Sequence, residues 1–554
     1  MRRLFILTLS LITFTTFIAQ PGAIGAKPLD INTTKLGLYL EENLDLNVGT
    51  ASIYASSTPD VQKSFKICKS LIDEICLPAT DIAINQFLEL CNVQSDINCI
   101  EEIWALDKNM NRIQGVYLKH LPLKGMADFQ AEPQMDLPAS RGNSFLVRFP
   151  NLIHKGGNDE YLVGVRNSFW LRKQSGEDPR NFRVEVGNLI GAISAVQTIF
   201  TGQQAIQIFD GFAANGGLST TPSGDRCRTT GDGFCAAARD FPPQIRLGMS
   251  LRLSTPLNGW FHGRISNPVI QTEKFPRSYR ISIEAEPVRV AAVDFMVPTA
   301  EVDQRIKDRV FAGDSWGHAG NPQDGVKLVF SLSEDQAPNF LDLFAPNFKD
   351  TATDTSDFWT FKTLTDFRSD ALRRCSDNSG DLAGIVTTNA LLYSAGPPSF
   401  NAAEGSLDYR VAAPHFQSDG QEARGTYDLL LRSDVARCIY GFTNAPIRAS
   451  LEVLTDGGST KVATTSVSER DGWLSMSANG FSFSSPIVRA KLSQEASLPV
   501  TTPSPSPTPT VEATSKATPT VVKATKRTIT CIKGEKKKRV QATKPKCPKG
   551  WKKA

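Results

Sequence analysis

Apolar and polar positions alternate through most of the chain. Ser144 to Phe149, Phe182 to Val186 and Ile245 to Leu253 have the length and composition of strands. The clearest alternation sets Ile281, Ile283 and Ala285, then Val293, Phe295 and Val297, on one side of an extended segment. Period two returns in Thr426 to Leu431 and Leu451 to Leu454. Helical spacing is confined to Val61 to Ile75 and Val302 to Phe311, and a hairpin is expected over Ile100 to Val116. The pattern predicts a mainly β, β-sandwich-like protein, preceded by a small mixed α/β region rich in cysteine.

Texture along the chain divides it further. A signal peptide is expected over 1–26, a cysteine-containing mixed α/β region over 27–125, and β-rich domains over 126–300 and 301–498. Residues 499–520 are rich in Pro, Thr and Ser, with Pro503, Pro505, Pro507 and Pro509 alternating with hydroxyl residues, and read as a disordered linker of polyproline character. A basic tail module with two cysteines follows at 521–554.

The first segment changes the picture from fold to location. Arg2 and Arg3 precede the apolar run Leu4 to Ala19, and Ala23-Ile24-Gly25-Ala26 offers small residues for cleavage before Lys27. The run is shorter than the roughly 20 apolar residues of a membrane span and holds several hydroxyl groups, so removal is expected. No later segment is apolar and long enough for a transmembrane span after signal cleavage. The first cysteine is Cys68, which excludes lipid attachment at the cleavage point. The expected destination is secretion, or association with the cell surface or wall.

Ten cysteines suit an oxidising destination as disulfides. Cys68 and Cys76, Cys91 and Cys99, and Cys227 and Cys235 share the spacing C-x7-C, and the last two pairs enclose turn residues that let small loops close. The first pair is open. Lys69 to Ile75 reads as helix, which would start the sulfurs about 12 Å apart at the helical rise. The alternative is a nested arrangement, Cys68 with Cys99 and Cys76 with Cys91. Cys375 with Cys438 and Cys531 with Cys547 are the natural remaining partners. No CxxC occurs and the histidines lie far from the cysteine pairs, so no metal site and no cofactor are expected.

Charge is distributed unevenly. The chain carries +4 overall, yet 516–554 holds fourteen Lys and Arg against Glu535 alone, which is +13 and leaves −9 for the remainder. A dense cationic segment binds polyanions by charge and counterion release. For an exported chain these are anionic cell-envelope polymers, not nucleic acid. The candidate contacts are Lys536, Lys537, Lys538, Arg539, Lys544, Lys546, Lys549, Lys552 and Lys553.

Motifs suggestive of catalysis fail on context, and no residue is assigned a catalytic role. Gly313-Asp314-Ser315-Trp316-Gly317 matches G-x-S-x-G, but Gly320, Asn321 and Pro322 follow where a nucleophile elbow requires a helix. The same serine block, with Gly156-Gly157-Asn158-Asp159, resembles parts of the Gly-Asp-Ser esterases, yet the blocks stand in the wrong order and no histidine has Asp three residues before it. Asp107, Asn109 and Asn111 imitate a calcium loop, with Arg112 and Leu118 at positions that need Gly and Glu, so a hairpin turn is expected. Gly259-Trp260-Phe261-His262-Gly263-Arg264 concentrates aromatic and cationic groups suited to stacking on a sugar, while core packing is the simpler expectation.

Several stretches carry a resemblance: Val386-Thr387-Thr388-Asn389-Ala390, Leu407 to His415, Ala436 to Phe442, Asp471-Gly472-Trp473 and Gly480 to Pro486. They resemble a group of secreted, uncharacterised proteins of actinobacteria. The tail, Ile529 to Gly534 and Pro545 to Gly550, resembles a terminal module shared among exported proteins of those bacteria. The resemblance implies location and an attachment or sorting role for the tail, and no activity. The expected function is an exported surface structural or binding protein retained by its basic tail. The competing reading is a secreted hydrolase of polysaccharide or ester substrates.

Overall fold

The computed structural model describes residues 32–42, 52–56, 66–121, 129–140, 144–182, 184, 187–202, 206–209, 212–215, 224–311, 317–364, 370–379, 381–454, 460–461, 464–483, 487–494, 527–533, 536–542, 546–548 and 551–553. The expected signal peptide, the Pro/Thr linker and Ser315 lie outside these residues. The chain divides into two compact units, 1–496 and 497–554. Strand exceeds helix by 54% to 11%, so the protein is mainly β. Among the described residues no helix is long and apolar enough to cross a membrane.

A large sheet forms the middle of the first unit. From one edge it runs through Lys66–Cys68, Ser52–Ser56, Asp81–Phe87, Glu160–Arg172, Asn188–Phe200 and Asp354–Leu364. It continues through Gly259–Lys274, Leu382–Thr388, Arg424–Arg432, Trp473–Ser482 and Thr464–Arg470. Neighbours are antiparallel except Gly259–Lys274 beside Leu382–Thr388, which run parallel. Both faces of this sheet are buried at its centre, while the edge strand Thr464–Arg470 is exposed from Ser466 onward. Tyr427, Leu429 and Leu431 enter one core and Leu430 the other; Trp260 and Phe261 separate in the same way. Strands covered on both sides need apolar residues at successive positions, which is why Leu382–Thr388 is buried throughout.

Each core is closed by a further layer. On one side, Gly259–Lys274 and Tyr279–Pro298 extend out of the central sheet and pair with each other, with Arg246–Leu253, Cys99–Leu106 and Arg112–Gln114 alongside. Ile281, Ile283 and Ala285 point inward from this layer, as their alternation predicts. The strand Gly259–Lys274 changes sheets at a bulge between Ser266 and Val269, where Asn267 has φ 49° and donates its N–H to the buried Asp428 at 2.9 Å. On the other side, Lys35–Leu40 lies between Tyr279–Pro298 and Gly325–Val329. Helices Gln304–Phe311 and Ala337–Phe344 add to that core. So does a separate sheet that includes Ser406–Ala412, Ile487–Gln494 and Ile447–Leu454.

Strand pairing crosses positions 125 and 300. Lys35–Leu40 pairs with the end of Tyr279–Pro298 and with Gly325–Val329, and Asn188–Phe200 pairs with Asp354–Leu364. The segments 27–125, 126–300 and 301–498 thus contribute strands to common sheets.

Two local expectations need correction. The helical reading of Val61 to Ile75 does not hold where the segment is described: Lys66–Cys68 is a strand, and turns and bends follow from Lys69. The chain reverses there because a disulfide and a carboxylate close the loop. Phe182 ends the short 3-10 turn Pro179–Asn181 instead of beginning a strand. The hairpin at Ile100 to Val116 is present, with Asp107 accepting the backbone N–H groups of Asn109 and Asn111 at its turn.

Candidate functional site

In the second unit, Arg527–Lys533 is the middle strand of a small antiparallel sheet, flanked by Lys536–Ala542 and Lys552–Lys553. Its threonine and isoleucine residues favour extended backbone. The register places Lys538 and Lys553 on either side of Cys531, and Lys537 and Lys552 on either side of Ile532. The run Lys536-Lys537-Lys538-Arg539 sets four consecutive cationic residues along one flanking strand. Adjacent strands lie about 4.8 Å apart, a spacing at which like charges repel unless counterions or an anionic partner screen them. The described residues of this unit include no Asp or Glu. Lys546, Lys552 and Lys553 are exposed; Lys544 and Lys549 lie outside the described residues. Cys547 is disulfide-bonded.

The body contains four disulfides: Cys68–Cys76, Cys91–Cys99, Cys227–Cys235 and Cys375–Cys438. The nested alternative for the first four cysteines is therefore excluded. Asp73 organises the first loop by accepting N–H groups from Lys69 (2.7 Å), Ile75 (2.9 Å) and Cys76 (2.9 Å). Burial opposes its charge, but these backbone donors outweigh it and hold the carboxyl below the usual carboxylate range. Donor atoms of Cys68, Asp73 and Cys76 lie within 4.8 Å of one another. The sulfurs are already bonded together and the carboxylate oxygens are taken by the backbone, so the trio is a loop closure. Asp96 acts similarly in the second loop, accepting from Asn92 (2.7 Å) and Val93 (3.0 Å).

The glycine-flanked motif around His262 is internal. Trp260 donates Nε1–H to Ser376 at 3.0 Å, and Phe261 packs in the opposite core, so neither offers a sugar-stacking surface. His262 stacks on Tyr393 with ring centroids 3.9 Å apart and planes 8° from parallel. Arg264 lies 4.6 Å and Lys362 5.8 Å from the same ring. Burial, reinforced by Arg264 and then Lys362, pushes the His262 pKa well below its ordinary value, so the imidazole is neutral. Its Nε2 is buried with no hydrogen-bond partner among the described residues. Arg264 is itself buried, paired with Glu42 at 2.5 Å and donating to the carbonyls of Thr388 (3.2 Å), Ala390 and Leu391 (3.0 Å). Nearby, Arg226 pairs with Glu41 and with Asp354 (3.0 Å), and burial lowers fully enclosed Arg228 to about 10. This ionic cluster ties Lys35–Leu40 to the central sheet. Sequence reading missed it, because adjacent Glu41 and Glu42 after an apolar run look like an ordinary solvated strand end.

The remaining motifs separate in space or in role. Gly156 belongs to a turn in which His154 Nδ1 accepts its N–H at 2.9 Å, while Nε2 faces the Val196 carbonyl at 3.0 Å. Burial lowers the His154 pKa, and both ring nitrogens are committed to backbone. The first described element beyond Ser315 is the hairpin Gly317–Asn321 with Gly325–Val329, a strand where a nucleophile elbow requires a helix.

No known protein family, curated protein or solved structure matches this chain.

Proposed function

We propose that this is an exported surface protein whose β-rich body faces outward and whose C-terminal unit holds it on anionic envelope polymers. The carrying observation is the small C-terminal sheet, in which every charged residue of the described strands is cationic and the register pairs Lys533 with Lys536 and sets Lys552 and Lys553 along the opposite edge. The signal-like N-terminus and the disulfides of the body support export, since such bonds persist in oxidising compartments. The resemblance to secreted actinobacterial proteins supports a Gram-positive-type envelope as the place of attachment.

Retention of this kind responds to salt. Cells producing the full chain, and a version stopped after Val500, are washed with rising salt and fractionated. The full chain is expected to leave the envelope as salt rises, while the shortened one is already in the medium. Equal distribution of the two would overturn the proposal. With the purified full chain and a linear polyphosphate, replacing Lys536, Lys537, Lys538 and Arg539 by Gln should flatten the log affinity against log salt line by roughly 3, at about 0.7–0.9 per phosphate contact.

A further inference from the structure

We propose that Tyr117, His120 and Glu89 form a nucleophilic site in which the Tyr117 phenol takes an acyl group from a carboxylic ester. The Tyr117 hydroxyl lies 3.1 Å from His120 Nδ1, and His120 Nε2 lies 3.3 Å from Glu89 Oε1. Nε2 and Oε1 are shielded from solvent and have no other polar partner among the described residues. Their contact is long for a hydrogen bond, as such contacts are before a substrate closes a site. A carboxylate beside Nε2 keeps the ring proton there and leaves Nδ1 to accept the phenol proton. A phenol is a poor nucleophile while it keeps that proton, and a base oriented by a third group is the arrangement that activates it.

The backbone is shaped for this meeting. Residues three apart in a regular strand point to opposite faces. In the strand Val116–His120 the register slips: Tyr117 pairs with Val147, whereas Lys119 and His120 pair with Leu146 and Phe145. This bulge at Leu118 turns Tyr117 and His120 to the same side, with the Phe145 ring 5.7 Å from one and 5.6 Å from the other. Glu89 follows the strand Asp81–Phe87 and is fixed by its carbonyl, which accepts the Ile100 N–H at 2.8 Å. Tyr117 is 45% exposed, so a substrate can reach it.

Charge selects the electrophile. Phenol and imidazole meet an aromatic wall in Phe145 and an anion in Glu89. A phosphoryl or sulfuryl donor would bring negative charge to that carboxylate, whereas an ester is neutral. The phenol oxygen bonds to the acyl carbon while its proton passes to His120 Nδ1. The ester C–O bond breaks, and its electron pair leaves on the alcohol oxygen, which takes the proton from His120. Tyr117 and His120 are the reacting groups, and Glu89 is a positioning residue.

The test treats the purified full chain with 4-nitrophenyl acetate at neutral pH and maps acetyl groups by peptide mass spectrometry. Tyr117 should be acetylated about 100-fold faster than N-acetyltyrosinamide, the lower range of general-base assistance. This comparison needs no variant to fold. Tyr117→Phe, which keeps the ring against Phe145, should abolish the label at this position and leave the unfolding midpoint unchanged. His120→Gln should bring the rate down to that of the free amide. Glu89→Ala should lose most of the acceleration, and added formate should restore it, which a merely structural carboxylate would not permit. Acetylation of Tyr117 no faster than that of the free amide, or acceleration that survives His120→Gln, would overturn the site.

Discussion

Asp73 and Asp96 each sit five positions after the first cysteine of a C-x7-C loop, and each accepts backbone N–H groups from the two residues that follow that cysteine. Asp232 has the same place after Cys227, in a loop built as a hairpin. Asp73→Ala should cost about 1–2 kcal/mol, because several backbone donors lose their acceptor at once. Thermal unfolding checks this, and Asp73→Asn should recover part of the loss. The Asp73 carboxyl titrates below the usual range, so its contribution is present above the unfolded value and disappears as pH falls through the folded one. His262 produces an acid limb at higher pH. Below about 6.5 the unfolded chain takes up a proton that the buried imidazole refuses, so this residue should remove about 1.4 kcal/mol of stability per pH unit of further acidification. His262→Phe should lose that slope in denaturant titrations across pH, while His154 contributes the same sign to both proteins. An unaltered slope would refute the assignment. The environment of His262 was not legible in the sequence beyond its neighbour Arg264, because Tyr393 and Lys362 reach it from two other strands.

Strands were legible where one face is buried, as in Ile281, Ile283 and Ala285, because alternation records a two-sided environment. They were harder to read in Leu382–Thr388, where two cores erase the alternation. The helical reading before Cys76 failed because backbone propensity is weaker than a covalent closure reinforced by Asp73. Disulfides also differ as elements. Cys375–Cys438 joins the helices Asp370–Ser379 and Ser433–Tyr440 over a sequence separation of 63, against 8 for each short loop. Chain entropy predicts that Cys375→Ala/Cys438→Ala costs about 4 kcal/mol and Cys91→Ala/Cys99→Ala about 2.5 kcal/mol. Denaturant unfolding of the two double variants tests the order, and equal losses would contradict it.

At the scale of the molecule, charge and covalent closure belong to short windows of sequence. The basic C-terminus, the even cysteine count and the short pairings Cys91–Cys99 and Cys227–Cys235 therefore followed from composition and spacing, while Cys68–Cys76 was decided only by the fold of its loop. The mainly β class followed as well, since period two is a local property. Sheet order was decided elsewhere. Lys35–Leu40 finds its partners at Val293 to Pro298 and Val326 to Val329, and the parallel pairing of Gly259–Lys274 with Leu382–Thr388 joins distant segments. Changes of sequence texture near 125 and 300 therefore fall inside one compact unit. The ionic cluster of Glu41, Glu42 and Arg226 around buried Arg264 has the same origin. Hydrophobic periodicity tells each strand which sides must be covered, but the neighbour that covers them is chosen by mutual packing and by ion pairs that exist only once remote strands have met.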